Sequence, residues 1–215
     1  MKTKIESSMR FYLLATKLKE LIRTGWDDTH WCILGRRESV AEHVYGCLIL
    51  ALAIDANFDL NLNLDKVLKM LALHEIGEVI IGDITPYDGM TKEEKEKKEH
   101  EAMEKVIGDV IKKEELYTLL LEFDAKKTKE AKFAHLCDKI EADIQSKIYQ
   151  DKGRHHSLSE QQNNVAFKNS KVQNMAKEKK EDAFSIWYEM DKELYKDDLL
   201  FKTILTYIKE NDLNI

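Results

Sequence analysis

The sequence contains few residues that interrupt or cross-link a chain: one proline, eight glycines and three cysteines among 215 residues. This low content of proline and glycine, together with 34% charged and 43% hydrophobic residues, is typical of a helix-rich globular protein. Cys32, Cys47 and Cys137 include no Cys-x-x-Cys pair. They therefore argue against a disulfide framework and fit a reducing compartment.

Long hydrophobic runs are also missing, since no stretch approaches the roughly 20 apolar residues that span a bilayer. The first residues, MKTKIESSMRFYLLATKLKE, carry too many charges for a signal peptide. A formal net charge of −6 argues against general binding to nucleic acid or anionic membranes. We therefore expect a cytoplasmic protein with no nucleic-acid or membrane partner.

Apolar residues recur at helical spacing along most of the chain, and no β-type alternation is longer than a few residues. Ser39 with Glu42 forms a capping-box pattern, and Asn63 can cap the following helix, which Gly82 and Pro86 are predicted to end. The sequence therefore predicts an all-α fold. Its helices are predicted over 8–23, 39–56, 64–82, 91–107, 126–150 and, as one or two helices, 182–212.

Ligand-type side chains fall on three of these apolar faces. His43 lies between Val40 and Val44, positions 74, 75 and 78 continue the stripe past Leu71, and Asp138 follows Cys137. Burying an unpaired carboxylate costs several kcal/mol or forces its protonation, whereas a divalent cation removes that difficulty. Taken singly, each residue has a structural alternative: a hydrogen-bonded core histidine, an edge glutamate or an ion-paired aspartate. Together they indicate a metal site.

A zinc metalloprotease is the local alternative, because the segment HEIGE begins with His-Glu. That class needs a second histidine four residues after the first, and position 78 holds glutamate. The metalloprotease is therefore excluded. Glu78 instead lies on the same predicted face as His74, where it can transfer a proton.

The pattern resembles the HD-domain metal-dependent phosphohydrolase superfamily, and within it the HD-domain 5′-deoxynucleotidases. The resemblance covers about residues 23–150, through RTGW, ESVAEH, HEIGEVIIGDITPYDGMTKEEKEKKEHEAM and EAKFAHLCDKIEADIQ. It implies a single HD-type helical bundle over 1–215, with the metal-site core at about 23–150. A loop and C-terminal helices over 151–215 would complete the fold.

The resemblance also implies an enzyme of nucleotide metabolism: a 5′-nucleotidase that releases phosphate from (deoxy)nucleoside 5′-monophosphates, commonly as a homodimer. Glu78 would orient or deprotonate the attacking water, Asp83 would be a second acid near sugar and phosphate, and Arg23 and Trp26 would contact substrate. The donor set does not choose among Mn²⁺, Co²⁺, Fe²⁺, Ni²⁺, Zn²⁺ and Mg²⁺. One such ion would be held by His43, His74, Glu75 and Asp138.

Two features depart from the family pattern. Glu75 replaces the aspartate of the His-Asp pair, and the loop before His43 carries an inserted DDTHW, so His30 or Trp31 is an alternative occupant of the space assigned to Arg23 and Trp26. Two other functions stay open. One is an HD-type nucleotide pyrophosphohydrolase, and the other is a non-catalytic metal- or nucleotide-binding domain.

Overall fold

The computed structural model of the protein describes residues 1–85, 88–161, 163–179 and 182–213. Within them the regular structure is helical, and extended pairing is limited to the isolated bridges Ile22–Ser39 and Ile33–His155. The all-α prediction is confirmed. The α-helices of these residues are α1 (Lys2–Ala15), α2 (Val40–Asp55), α3 (Leu64–Leu73), α4 (Glu78–Ile81), α5 (Lys92–Ile107), α6 (Lys113–Ala125), α7 (Lys129–Asp151), α8 (Ser170–Lys179), α9 (Ala183–Asp191) and α10 (Leu199–Glu210).

The chain divides into two compact units. The first comprises Met1–Ile22 and Glu38–Asp138, and the second comprises Arg23–Arg37 and Lys139–Ile215. The expectation of a single domain over 1–215 stays a prediction.

In the first unit, α2 packs on α3, α3 on α6, and α5 on α1, α4 and α6. The predicted capping box starts α2: the Ser39 hydroxyl accepts from the Glu42 amide, and the Glu42 carboxylate accepts from the Ser39 amide. Asn63 caps α3 as predicted. One apolar core of this unit consists of Leu73, Ile76, Met103, Val106, Ile107 and Leu120.

Several helix bounds differ from the predicted ones. α1 ends at Ala15 rather than near 23, because the Thr16 hydroxyl donates to the Leu13 carbonyl and a 3₁₀ turn follows. α7 begins at Lys129 rather than 126, because the Thr128 hydroxyl accepts from the Ala131 amide. α6 and α8 were not predicted from the sequence.

The predicted third helix, 64–82, is wrong as one helix, because α3 ends at Leu73 and α4 begins at Glu78. Gly82 does end α4, and its φ of +78° is a conformation that glycine adopts without strain. Pro86, the other predicted stop, lies outside the described residues.

Aromatic side chains organise the second unit. Trp26 is buried and stacks on Trp187, with ring centroids 4.9 Å apart, while Tyr149 meets Trp26 edge-on at 5.4 Å. Phe184 and Ile186 of α9 are also buried, whereas Leu199 at the start of α10 is exposed. Among the described residues, no helix is both long and apolar enough to cross a membrane.

Candidate metal centre

His43 and Asp138 meet in the interior of the first unit. The capping box fixes the start of α2, so His43 lies in the first turn on the face that also buries Val40 and Cys47. Asp138 lies on α7 and is 4% exposed. His43 Nε2 is 3.1 Å from Asp138 Oδ1, although the two residues are 95 positions apart in sequence.

His74 and Glu75 follow the last residue of α3. The His74 ring Nδ1 donates to the Leu71 carbonyl at 2.7 Å, and this carbonyl is the acceptor that the Glu75 amide would use in a continuing helix. The next turns tighten, with amide-to-carbonyl bonds from Ile76 to Leu73 and from Glu78 to Glu75. The break in the helix is therefore linked to the orientation of the His74 ring.

The four predicted ligands converge. Glu75 Oε1 is 3.8 Å from His43 Nε2 and 3.5 Å from His74 Nε2, and His74 Nε2 is 3.7 Å from Asp138 Oδ1. With metal–ligand bonds of about 2.1 Å, neighbouring donors lie about 3.0 Å apart in an octahedron and about 3.4 Å apart in a tetrahedron. The observed separations are at or slightly above these values.

The hydrogen bonding of the His74 ring leaves its Nε2 suited to bind a cation. Because Nδ1 donates to the Leu71 carbonyl, Nε2 carries the lone pair of the neutral ring. The His74 side chain is 2% exposed, and its Nε2 has no hydrogen-bond partner among the described residues. A buried lone pair beside two carboxylates is unfavourable unless a positive charge lies between them. A divalent ion would satisfy all three groups.

The surroundings of this cluster are partly apolar and partly acidic. The Phe123 ring packs on the His74 ring at 5.3 Å, and His135 Nδ1 is 3.9 Å from Asp138 Oδ2. Burial raises the pKa of the Glu99 carboxyl; Lys95, 3.5 Å away, opposes this, and the Glu75 carboxylate adds to it. The carboxylates that lie beside the His43 and His74 rings are those of Glu75 and Asp138, and they favour a bound cation.

The two predicted catalytic acids lie in the same unit. Glu78, the first residue of α4, is 5% exposed, and Asp83 follows α4 and is partly buried. Gly77 lets α4 approach α5 closely, since a Cβ there would lie 3.2 Å from the Glu99 carbonyl oxygen. The close packing of α4 on α5 therefore restricts where Glu78 can lie.

The predicted substrate-contacting residues, Arg23 and Trp26, belong to the second unit. Trp26 is 1% exposed and stacked on Trp187, which favours its reading as a core residue. His30 and Trp31 are also buried; His30 Nδ1 is 3.0 Å from Asp27, and the Trp31 ring contacts Phe167 and Trp187. The substrate-binding roles of Arg23 and Trp26 stay predictions.

The sequence pattern assigned no role to Cys47. In the structure its Sγ and donor atoms of His43, His74 and Asp138 all lie within 4.8 Å of one another. A signal was present, because Cys47 is four residues after His43 and therefore on the same side of α2.

Comparison with known proteins gives a family assignment. The sequence model of the HD domain matches residues 15–182. The human protein named 5′-deoxynucleotidase HDDC2 is 35% identical over 148 residues, which cover 67% of this chain and 69% of that protein.

Solved structures agree with this assignment. A Magnetospirillum magnetotacticum protein described as a predicted metal-dependent phosphohydrolase has a TM-score of 0.57 and 25% identity, covering 69% of this chain and 74% of its own. The PH0347 protein from Pyrococcus horikoshii shares the fold, with a TM-score of 0.62 and 23% identity. The match covers 94% of this chain and 98% of the PH0347 chain. The chain therefore belongs to the HD domain family, in which its curated relatives are named 5′-deoxynucleotidases.

Proposed function

We propose that the protein is a metal-dependent 5′-nucleotidase that hydrolyses (deoxy)nucleoside 5′-monophosphates. The observation that carries the proposal is the convergence of His43, Glu75 and Asp138 on Nε2 of His74, which has no hydrogen-bond partner in the described part of the chain. Two neutral imidazoles and two carboxylates suit a divalent transition ion or Mg²⁺. The curated relatives named 5′-deoxynucleotidases support the choice of substrate.

The reaction replaces the ester oxygen at phosphorus by a water oxygen and releases a nucleoside and inorganic phosphate. A divalent ion held by His43, His74, Glu75 and Asp138 would supply Lewis acidity to activate water and to neutralise charge on the phosphoryl group. Glu78 orients the attacking water or takes its proton, a role that suits a carboxylate held in a buried position. Asp83 is the second acid, near sugar and phosphate.

Arg23 is proposed to hold the phosphate, because a guanidinium presents a planar fork of donors to phosphate oxygens. Trp26 is proposed to contact the base or sugar only if its ring leaves the stack on Trp187. Replacing Arg23 by alanine is expected to raise KM more than it lowers kcat, since a group that holds substrate and transition state alike mainly affects binding.

Phosphate release from a panel of ribo- and deoxynucleoside 5′-monophosphates, with Mn²⁺, Co²⁺ or Mg²⁺ added, tests the function. Phosphate from monophosphates supports the proposal. Pyrophosphate from nucleoside triphosphates would instead identify a pyrophosphohydrolase. No turnover with any ion, in protein shown to contain metal, would identify a binding domain.

The resemblance also underlies our proposal of a homodimer, whereas the cysteine usage, the net charge and the lack of long apolar runs underlie that of a cytoplasmic location without nucleic-acid or membrane partners. An exposed apolar stripe on α2, made of Tyr45, Ile49 and Leu52, supports self-association. Light scattering coupled to size-exclusion chromatography gives the mass of the particle. Replacing Ile49 by lysine should lower that mass if the stripe is the interface.

A further inference from the structure

Cys47 lies beside the metal centre without a role in the proposed reaction. It is fully buried on α2, one turn after His43. Its Sγ is 3.6 Å from His43 Nε2 and 3.8 Å from His43 Nδ1. A buried cysteine is an ordinary core residue, so burial alone assigns it nothing.

The position of its sulfur is more specific. Cys47 Sγ and donor atoms of His43, His74 and Asp138 all lie within 4.8 Å of one another. An independent observation points to a ligand at the same place: the buried His74 Nε2 that has no hydrogen-bond partner among the described residues. The sulfur is thus a further potential donor in a group that Glu75 does not belong to, although Glu75 approaches the two imidazoles.

Cys137 offers a built-in comparison. It is equally buried, on α7 next to Asp138, yet its sulfur belongs to no such donor group among the described residues. Cys137 is therefore expected to remain a core residue outside the ligand set.

We propose that Cys47 ligates thiophilic divalent ions in this centre, together with His43, His74 and Asp138. The proposal rests on the metal centre of the proposed function and extends it to the choice of ion. Thiolate sulfur favours Zn²⁺, Co²⁺ and Cd²⁺, whereas Mn²⁺ and Mg²⁺ prefer oxygen and would use Glu75 in its place. On ligation the S–H bond breaks, its proton passes to solvent, and a bond from sulfur to the ion forms.

X-ray absorption of the zinc-loaded wild-type protein tests the assignment without any variant. One sulfur neighbour at about 2.3 Å from zinc is expected, in addition to nitrogen and oxygen at about 2.0–2.2 Å. The cobalt-loaded protein should show a near-ultraviolet thiolate-to-cobalt charge-transfer band. Both signals should be lost in Cys47→Ser and retained in the matched control Cys137→Ser.

Metal titration gives a second readout. In Cys47→Ser the affinity for Zn²⁺ should fall by about tenfold or more, whereas the affinity for Mn²⁺ should change less than about threefold. Circular dichroism of each variant shows whether it has folded. If Cys47→Ser does not fold, the absorption spectrum of the wild-type protein decides alone.

Three results would overturn the proposal, in distinguishable ways. Zinc surrounded only by nitrogen and oxygen would remove Cys47 from the ligand set while leaving the metal centre intact. A charge-transfer band that is lost in Cys137→Ser and kept in Cys47→Ser would show that the ligand is Cys137 and not Cys47. A wild-type protein that binds no divalent ion would remove the proposed function as well.

Discussion

Single side chains decide how much of the metal centre can be read from the sequence. His43, His74, Glu75 and Asp138 each occupy a position where an apolar residue is expected, and the structure brings their donor atoms within 3.1–3.8 Å of a neighbour in the cluster. The hydrogen bond from His74 to the Leu71 carbonyl was not predictable, because it depends on a ring orientation set by tertiary packing.

Glu75 is the residue that departs from the family's His-Asp pair. Shortening it by one methylene, as Glu75→Asp, moves the carboxylate by about 1.5 Å but keeps an oxygen ligand. We expect phosphate release at saturating Mn²⁺ to stay at the wild-type rate or rise, whereas Glu75→Ala should lose metal. Complete loss of activity in Glu75→Asp would show that the centre is built around the longer side chain.

Glu78 should matter for turnover and not for metal binding. Removing a general base lowers rates by about 10²- to 10⁴-fold, so Glu78→Ala should lower kcat by that amount while retaining a stoichiometric ion. Steady-state kinetics and elemental analysis of the same sample measure both quantities. The exposed Glu93→Ala serves as control, and near-normal kcat in Glu78→Ala would contradict the proton-transfer role.

Buried Asp143 and partly buried Asp191 form an acidic pair in the second unit, where the Tyr195 hydroxyl donates to Asp143. Burial raises the pKa of both carboxyls; the neighbouring Asp191 raises that of Asp143 further, whereas Asp143 and Lys139 oppose the shift at Asp191. The folded protein therefore binds more protons than the unfolded chain above about pH 4. The contribution of this pair to stability should fall as the pH rises from there through the raised pKa.

Asp143→Asn should remove much of this pH dependence, since an amide keeps the shape and cannot ionise. Thermal midpoints measured between pH 5 and 8.5 should decline less steeply in Asp143→Asn than in the wild type. The exposed Asp197→Asn is the control. Because burial lowers the pKa of His155 to about 4 and so raises stability with pH up to about 6.5, only the difference from the variant isolates the pair. Equal pH slopes in Asp143→Asn and the wild type would contradict the raised pKa values.

At the scale of elements, local signals identified helices better than their ends. The capping residues Ser39 and Asn63 marked the starts of α2 and α3 correctly. Periodicity could not reveal the break between α3 and α4, because positions 74, 75 and 78 continue the helical stripe. α6 and α8 were not predicted, and most of the stability of such short helices comes from tertiary packing, which the sequence pattern does not show.

The capping box of α2 should support the metal centre. Ser39→Ala removes an N-cap and should lower the free energy of unfolding by about 1 kcal/mol. Because His43 lies in the first turn of α2, metal affinity should fall as well. Thr91→Ala, in the matching but exposed capping box of α5, should cost similar stability without changing metal affinity. Denaturant unfolding measures the loss of stability, and metal titration measures the loss of metal affinity. An equal loss of metal affinity in Ser39→Ala and Thr91→Ala would contradict the link between the cap of α2 and the metal centre.

For the whole molecule, the all-α class followed from composition and periodicity, whereas the division into two units did not. The loop at 24–37 reads as a polar connection, yet Trp26 and Trp31 make it part of the aromatic packing of the second unit. Such long-range packing of a loop leaves no periodic signal in the sequence.

Metal binding should stabilise the folded chain, because its donors converge only there. An ion at 100 times its dissociation constant should add about 2.7 kcal/mol to the free energy of unfolding, and chelation should remove that increment. Thermal melts with EDTA and with added Mn²⁺ measure the difference. His74→Ala should melt at the same temperature in both conditions, and a wild type indifferent to the ion would contradict the predicted centre.

The 95 positions that separate His43 from Asp138 also bear on synthesis. A growing chain exposes the two histidines well before the aspartate has left the ribosome. Nascent protein of intermediate length would hold an incomplete set of donors and retain a cation poorly. Capture of the ion is therefore expected as a late event in biogenesis, after α7 has been translated.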